Sequence, residues 1–244
     1  MSKSVETYTD NKVSQVWLIT QRCYKRQFLL SDEVDRRRWL YWLYQAKRRF
    51  GLSILNYVVT SNHVHLLVQG NGSSSLRKSV SYINEKSTQD INRRHRRSLP
   101  LWNKSCQITA IQTNENLSRC MTYIDMNMVR AGVVTHPRQW LCSGYHESVN
   151  PYKRTGRLDQ QSVHELLGFQ SADALRVARD GWIRCALESA DLSRVPYWSD
   201  SLAVGDLAFA LKMKRALAFM HPGRRAQRER GCFAVREARA SYDV

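Results

Sequence analysis

Asn56-Tyr-Val-Val-Thr-Ser-Asn-His-Val-His-Leu-Leu-Val-Gln69 contains two apolar runs parted by Ser61-Asn62, with His63 and His65 heading the second. Such a pattern predicts strands at about 53–60 and 63–69 joined by a tight turn. Successive side chains of a strand alternate between its faces, so His63 and His65 share one face while Val64, Leu66 and Val68 take the other. Two imidazoles on one face form a candidate metal pair. A strand histidine is more often a satisfied core or surface residue, and the triplet alone does not choose between these readings.

Further along stands Arg119-Cys-Met-Thr-Tyr123-Ile-Asp-Met-Asn127-Met-Val-Arg130-Ala-Gly132. Leu117, Cys120, Met121, Ile124 and Met128 recur at helical spacing, which predicts one amphipathic helix ending near Gly132. Tyr123 and Asn127 are then neighbours on one face, so a hydroxyl and an amide oxygen can point at the same object. This suits a tyrosine nucleophile beside a third ligand. The plainer alternative is a packed ring whose phenol reaches the boundary.

Working outward, a strand is expected at 13–21 and a helix from about Asp32 to Phe50, capped by Ser31. A loop at 71–75 leads to a helix at about 76–95, and a strand at 106–113 precedes the tyrosine helix. The order is β-α-β-β-α-β, an α+β unit of the split βαβ kind. Composition shifts near Asn150: Pro151-Tyr-Lys-Arg-Thr-Gly156 reads as a linker, followed by helices at about 160–167, 171–189, 201–219 and 224–239. Residues 1–150 are therefore expected as a catalytic domain and 151–244 as a helical, basic C-terminal extension.

Thirty-eight Lys and Arg against 21 Asp and Glu give the 244-residue chain a net charge of +17, which favours a polyanionic partner. Arg36-Arg-Arg38, Lys47-Arg-Arg49, Arg93-Arg-His-Arg-Arg97 and the stretch from Arg224 to Arg239 concentrate it. Trp39, Tyr41, Trp42 and Tyr44 interleave with the first two clusters and suit a helix core better than base stacking. Six scattered cysteines without a Cys-x-x-Cys pair argue for reduced thiols and a cytoplasmic setting. No apolar run of the length a membrane span needs, and no signal core, is present.

From Val16 to Glu147 the chain resembles the single-tyrosine HUH transposases, in particular the REP-associated tyrosine transposases. The resemblance rests on Thr20-Gln-Arg-Cys-Tyr-Lys-Arg-Gln27, Ser61-Asn-His-Val-His-Leu-Leu67, the Tyr123 to Gly132 segment, His136-Pro-Arg-Gln-Trp140 and Ser143-Gly-Tyr145. It departs from the family where Asn-Pro reads Asn127-Met128 and where Gly-Asn-Asn reads Cys23-Tyr24-Lys25. The resemblance implies a ferredoxin-like antiparallel sheet with helices, and a divalent ion, Mg²⁺ or Mn²⁺, at His63 and His65 with Asn127 as third ligand. It also implies attack by Tyr123 on single-stranded or hairpin DNA through a 5′-phosphotyrosine link. On ligand softness, two imidazoles favour Mn²⁺ in vitro. Expected DNA contacts are Arg22, Lys25, Arg26, Arg93, Arg94, Arg96 and Arg97; Arg130 either pairs with Asp125 or holds a phosphate. Monomer and homodimer both remain open. The rival readings are a noncatalytic nucleic-acid-binding module of the same fold, which gives the histidine pair no purpose, and a zinc hydrolase, which wants His or Glu where the helix offers Asn127.

Overall fold

The computed structural model describes residues 16–70, 73–113, 115–149, 155–189, 193, 195–218 and 223–237. Strands β1 (Val16–Arg22), β2 (Ser53–Val59), β3 (His63–Gln69) and β4 (Gln107–Ile111) lie side by side in the order β2-β3-β1-β4, all neighbours antiparallel. With helices α1 (Glu33–Phe50) and α2 (Ser73–Arg94) as the two crossovers, this is the expected ferredoxin-like α+β arrangement. The cap of α1 is Asp32, not Ser31: its carboxylate accepts from the Val34 N–H at 2.9 Å.

Alternation sorts the sheet into two apolar faces. Trp17, Ile19, Tyr57, Val64, Leu66 and Val68 pack beneath α1 and α2 with Trp39, Leu40, Leu43 and Ile83. Val16, Leu18, Val58 and Leu67 face the other way, against Leu117, Met121 and Ile124 of α3 (Glu115–Asp125). His63 and His65 are four and two positions before Leu67, so they open onto the α3 face. Trp39, Leu40 and Leu43 are core residues, as expected, whereas Tyr41 is half exposed.

Beyond residue 150 the chain is not wholly helical. Helices α6 (Gln160–Leu167) and α7 (Ala172–Glu188) lie where expected, after a short α4 (Asn127–Arg130) and α5 (Gly144–Val149). The single helix expected at 201–219 is instead strand β5 (Ala203–Gly205) followed by α9 (Leu207–Leu217), after the one-turn α8 (Tyr197–Asp200). The stretch expected as helix 224–239 forms a hairpin of β6 (Arg224–Glu229) and β7 (Cys232–Glu237), with residues 238–239 outside the described part. Its physical reason is local: Gly231 turns the chain at φ 69°, and Phe233 and Val235 alternate with Cys232 and Ala234 across the two cores. Strand β5 pairs parallel to β4 and antiparallel to β7, so the sheet reads β2-β3-β1-β4-β5-β7-β6. The extension thus continues the ferredoxin-like sheet. No helix among the described residues is long and apolar enough to cross a membrane.

Two buried arrangements lock α3 to the sheet. The register of β2 slips between Ile54 and Asn56, a bulge that leaves Leu55 unmatched. Asn56 is fully buried; its amide donates to Asp125 Oδ1 at 2.8 Å and to the Met121 carbonyl at 3.3 Å, and its oxygen accepts from the Tyr57 N–H. Asp125 also accepts from Arg179 Nη2 of α7 at 2.7 Å. Burial raises the Asp125 carboxyl above its ordinary range, against the opposing pull of Arg179 and Asn56. Gly144, within the Ser143-Gly-Tyr145 motif, passes so near that a Cβ there would lie 2.3 Å from Asn56 Oδ1 and 3.0 Å from the Tyr57 nitrogen.

Gly144→Ala is therefore expected to destabilise the fold by about 2 kcal/mol, read as a lower urea midpoint, because the added methyl must displace the buried, hydrogen-bonded Asn56 amide. Arg179→Met, which strands a buried carboxylate, is expected to cost about 3–5 kcal/mol. The double variant Asp125→Asn/Arg179→Met should recover much of that loss in the same denaturation; no recovery would show that Arg179 acts through packing and not through charge.

Candidate active site

Strand register brings the two histidines to their partners. Arg22 lies opposite His63 and Thr20 opposite His65 on β1. Thr20 Oγ1 sits 2.9 Å from His65 Nδ1, while His63 Nδ1 lies 2.7 Å from Asn62 Oδ1 and 3.0 Å from Thr60 Oγ1. Holding Nδ1 of each ring orients the imidazole and makes Nε2 the ligand atom. The ring centroids are 4.9 Å apart.

The tyrosine helix is two pieces, not one. Its first part, α3, stops at Asp125; Met126 leaves helical geometry at ψ 2°, and α4 restarts at Asn127. Tyr123 and Asn127 nonetheless reach the same place. The Tyr123 ring lies 5.4 Å from the His65 ring, and Asn127 Nδ2 is 3.4 Å from His63 Nε2. Met128, where the family has proline, falls in the first turn of α4, a position that tolerates either residue. Two imidazole nitrogens and an amide oxygen, once the Asn127 carboxamide presents that oxygen, fit a divalent cation. Among the described residues no group of three His, Cys, Asp or Glu side chains gathers to form a harder or more complete cage.

Tyr123 is buried, 8 % exposed, on the floor of the site. Arg130 places its guanidinium 4.3 Å over the ring and donates Nη2 to the Tyr123 carbonyl at 2.6 Å. The local Arg130–Asp125 pair that the sequence left open does not form, since Asp125 belongs to Arg179. Burial pushes the phenol above its ordinary pKa, with Arg130, a hydrogen bond with Ser199 and the charge of Arg22 opposing. Trp198 tilts against the Tyr123 ring at 6.0 Å. Arg22 reaches Ser199 Oγ at 3.4 Å and Asp200 Oδ1 at 3.8 Å. Helix α8 therefore borders Tyr123 through Trp198, a place sequence reasoning did not assign to anything beyond Asn150. Thr20 was legible from strand pairing; α8 carried no local signal.

The expected DNA-contacting residues divide. Lys25 and Arg26 sit in a tight turn at φ 51° and 57°, the left-handed region that residues other than glycine seldom adopt. That turn packs beside the histidine turn: Cys23 N–H donates to the Asn62 carbonyl at 2.8 Å and Asn62 Nδ2 approaches the Arg26 carbonyl at 3.5 Å. Arg93 and Arg96 are exposed, and Arg97 donates Nε to Asn92 at 2.9 Å. Arg94 is engaged with Asp32 and Asp35, and His95 with Asp35 at 2.6 Å. His136 caps a turn by accepting from the Arg138 N–H, well away from chemistry.

Residues 12–127 match the family model described as Transposase IS200 like. None of the curated proteins matches the chain. Among solved structures, a REP-associated tyrosine transposase bound to a REP hairpin aligns at 20 % identity over 56 % of this chain and 79 % of that one, with a TM-score of 0.49. A candidate transposase from Deinococcus radiodurans R1 aligns at 19 % identity over 39 % of this chain and 77 % of the other, with a TM-score of 0.34. The match to the IS200-like transposase model spans both histidines, Tyr123 and Asn127.

Proposed function

We propose that the protein is a metal-dependent single-strand DNA transposase that nicks and rejoins hairpin DNA of the REP kind through a covalent 5′-phosphotyrosine. The observation that carries this reading is the convergence of Tyr123 on His65 at 5.4 Å and of Asn127 on His63 at 3.4 Å, from separate elements onto one face of the sheet. His63, His65 and Asn127 would hold Mg²⁺ or Mn²⁺, which supplies charge neutralisation at a phosphate oxygen when bound. Tyr123 attacks phosphorus, the bond to the 3′ oxygen breaks, and a 3′-hydroxyl leaves. One phosphodiester is exchanged for another without hydrolysis, so the same residues run the step backwards and strands are transferred. Arg22 at the end of β1, Lys25 and Arg26 in the turn after it, and Arg93, Arg96 and Arg97 at and beyond the end of α2 would follow the phosphate backbone. Arg94, tied to two carboxylates, contributes less; Arg130 serves the tyrosine first. The exposed Arg225 and Arg228 of β6 would add affinity for flanking DNA.

The noncatalytic module requires an open sheet face for stacking bases. Here α1 and α2 cover one face and α3, α7 and α8 the other.

Tyr123→Phe should abolish the covalent adduct with a labelled hairpin oligonucleotide, with DNA affinity held within about threefold, since one oxygen and no charge is lost. An adduct at wild-type level would refute the nucleophile. His63→Ala and His65→Ala should each remove most of the cleavage rate, Asn127→Ala less, and excess chelator should silence the wild type until Mn²⁺ is restored. Cleavage that persists in chelator would refute the metal site.

A further inference from the structure

Between β1 and α1 the chain makes a loop in which Tyr24, Lys25, Arg26, Gln27 and Phe28 are all exposed. The loop is nevertheless fixed. Its two ends are tied to the turn that leads into His63: the Cys23 N–H donates to the Asn62 carbonyl and the Leu30 N–H to the Ser61 carbonyl, each at 2.8 Å. On its other side the Tyr24 N–H donates to the Leu101 carbonyl at 2.9 Å and the Lys25 N–H to Asn103 Oδ1 at 3.2 Å. The tip of the loop is thereby held out to solvent beside the histidine turn.

The backbone of that tip is strained. Lys25 and Arg26 occupy the left-handed region in succession, and the third non-glycine residue to do so among the described residues is Arg96, just past α2. Such conformations persist only where their surroundings over-determine them, and they gather where a protein grips a ligand. Phe28 is 69 % exposed, more than any other large apolar side chain among the described residues, and Tyr24 is exposed four positions before it. A lone exposed apolar side chain needs no explanation. Two aromatic residues that flank two cations, on a strained loop braced from both sides, do. The Lys25 ammonium lies 5.4 Å from the centre of the Tyr24 ring, so a ring and a positive charge are presented together. Neither Lys25 nor Arg26 has a carboxylate partner among the described residues.

Rings interleaved with cations that lack an acidic partner suit single-stranded nucleic acid, whose bases offer open π-faces and whose phosphates repeat between them. A duplex keeps those faces stacked on one another. A second copy of the chain docked here about a two-fold axis would instead press Lys25 and Arg26 against the same charges. We propose that the 24–28 loop is a stacking platform for unpaired DNA bases, with Tyr24 and Phe28 holding bases and Lys25 and Arg26 the phosphates between them. Because the loop is bonded to the histidine turn, a strand gripped there enters the candidate active site at a fixed distance from His63 and His65. The loop thereby selects single-stranded over paired DNA through ring faces, with little regard to sequence. The proposal rests on the reading of the chain as a single-strand DNA transposase.

The test measures, on the full chain, the affinity for a hairpin oligonucleotide carrying single-stranded tails and for the same hairpin without them. Tyr24→Ala and Phe28→Ala should each weaken binding of the tailed hairpin about 10-fold, the effect of removing one stack of base on ring, and leave the tailless hairpin within about twofold. Melting temperature should not move, because both side chains are exposed. Phe28→Trp should keep the tailed affinity. The slope of affinity against salt should stay at the wild-type value in both alanine variants and fall by about one in Lys25→Ala and in Arg26→Ala. With 2-aminopurine in the tails, binding to the wild type should change the probe's fluorescence, and binding to the double variant Tyr24→Ala/Phe28→Ala should not. Equal losses on both oligonucleotides, or no loss on either, would overturn the platform. Self-association that Phe28→Ala abolishes, with tail binding unchanged, would assign the rings to a second copy and overturn it too. A wild type that forms no tyrosine adduct and shows no preference for the tails defeats the underlying reading; an active wild type beside alanine variants that bind the tails normally defeats the loop alone.

Discussion

A carboxylate buried without partners is expensive, and that constraint on Asp125 organises the molecule. Asp125 sits two residues beyond Tyr123, and its oxygens are met by Asn56 from a bulged strand and Arg179 from the extension. Satisfying it fixes the end of α3 against β2, the neighbour of the histidine strand. The same demand explains why β2 bulges at Leu55, just before Asn56, and why residue 144 has no side chain. Tyr123 and the histidines are held together less by contacts with one another than by this polar knot behind them.

What was legible in the sequence follows from the range of the interactions involved. The spacing of His63 and His65 is a local property of an extended chain, so their shared face could be read directly, as could the antiparallel pair that carries them. Tyr123 and Asn127 remain close despite the interruption at Met126 because one irregular residue barely alters their separation. The hairpin at 224–237 was misread because its many arginines hide a two-residue alternation that Gly231 punctuates. Helix α8, of four residues, has no periodicity to detect, and its place is decided by β5 pairing parallel to β4. Half of the surroundings of Tyr123 was therefore invisible until distant strands were paired.

Formal charge also proves a coarse guide to where DNA would lie. Arg36 is buried and donates to the Leu30 and Ser31 carbonyls at 2.8 and 2.6 Å, clamping the loop beside the histidine turn. Arg38 is paired with Asp90, Arg179 with Asp125, and Arg119 of α3 donates to the carbonyls at the turn between β6 and β7. Arginine does two jobs in this fold: its planar fork joins elements internally, and the remainder, gathered at the histidine end and along β6, is available to phosphate.

The joining of β4 to β5 has a consequence in time. Arg22 and Ser199 are 177 positions apart, and Asp125 waits 54 positions for Arg179. Contacts this remote form late, after costly loop closure, so the ferredoxin-like strands can pair well before Tyr123 has its surroundings. During synthesis the chain carries its histidines and its tyrosine for a long interval with α3 unanchored and α8 not yet made. The candidate site is thereby left unfinished in the nascent chain, its surroundings closing only when the last part of the sheet arrives.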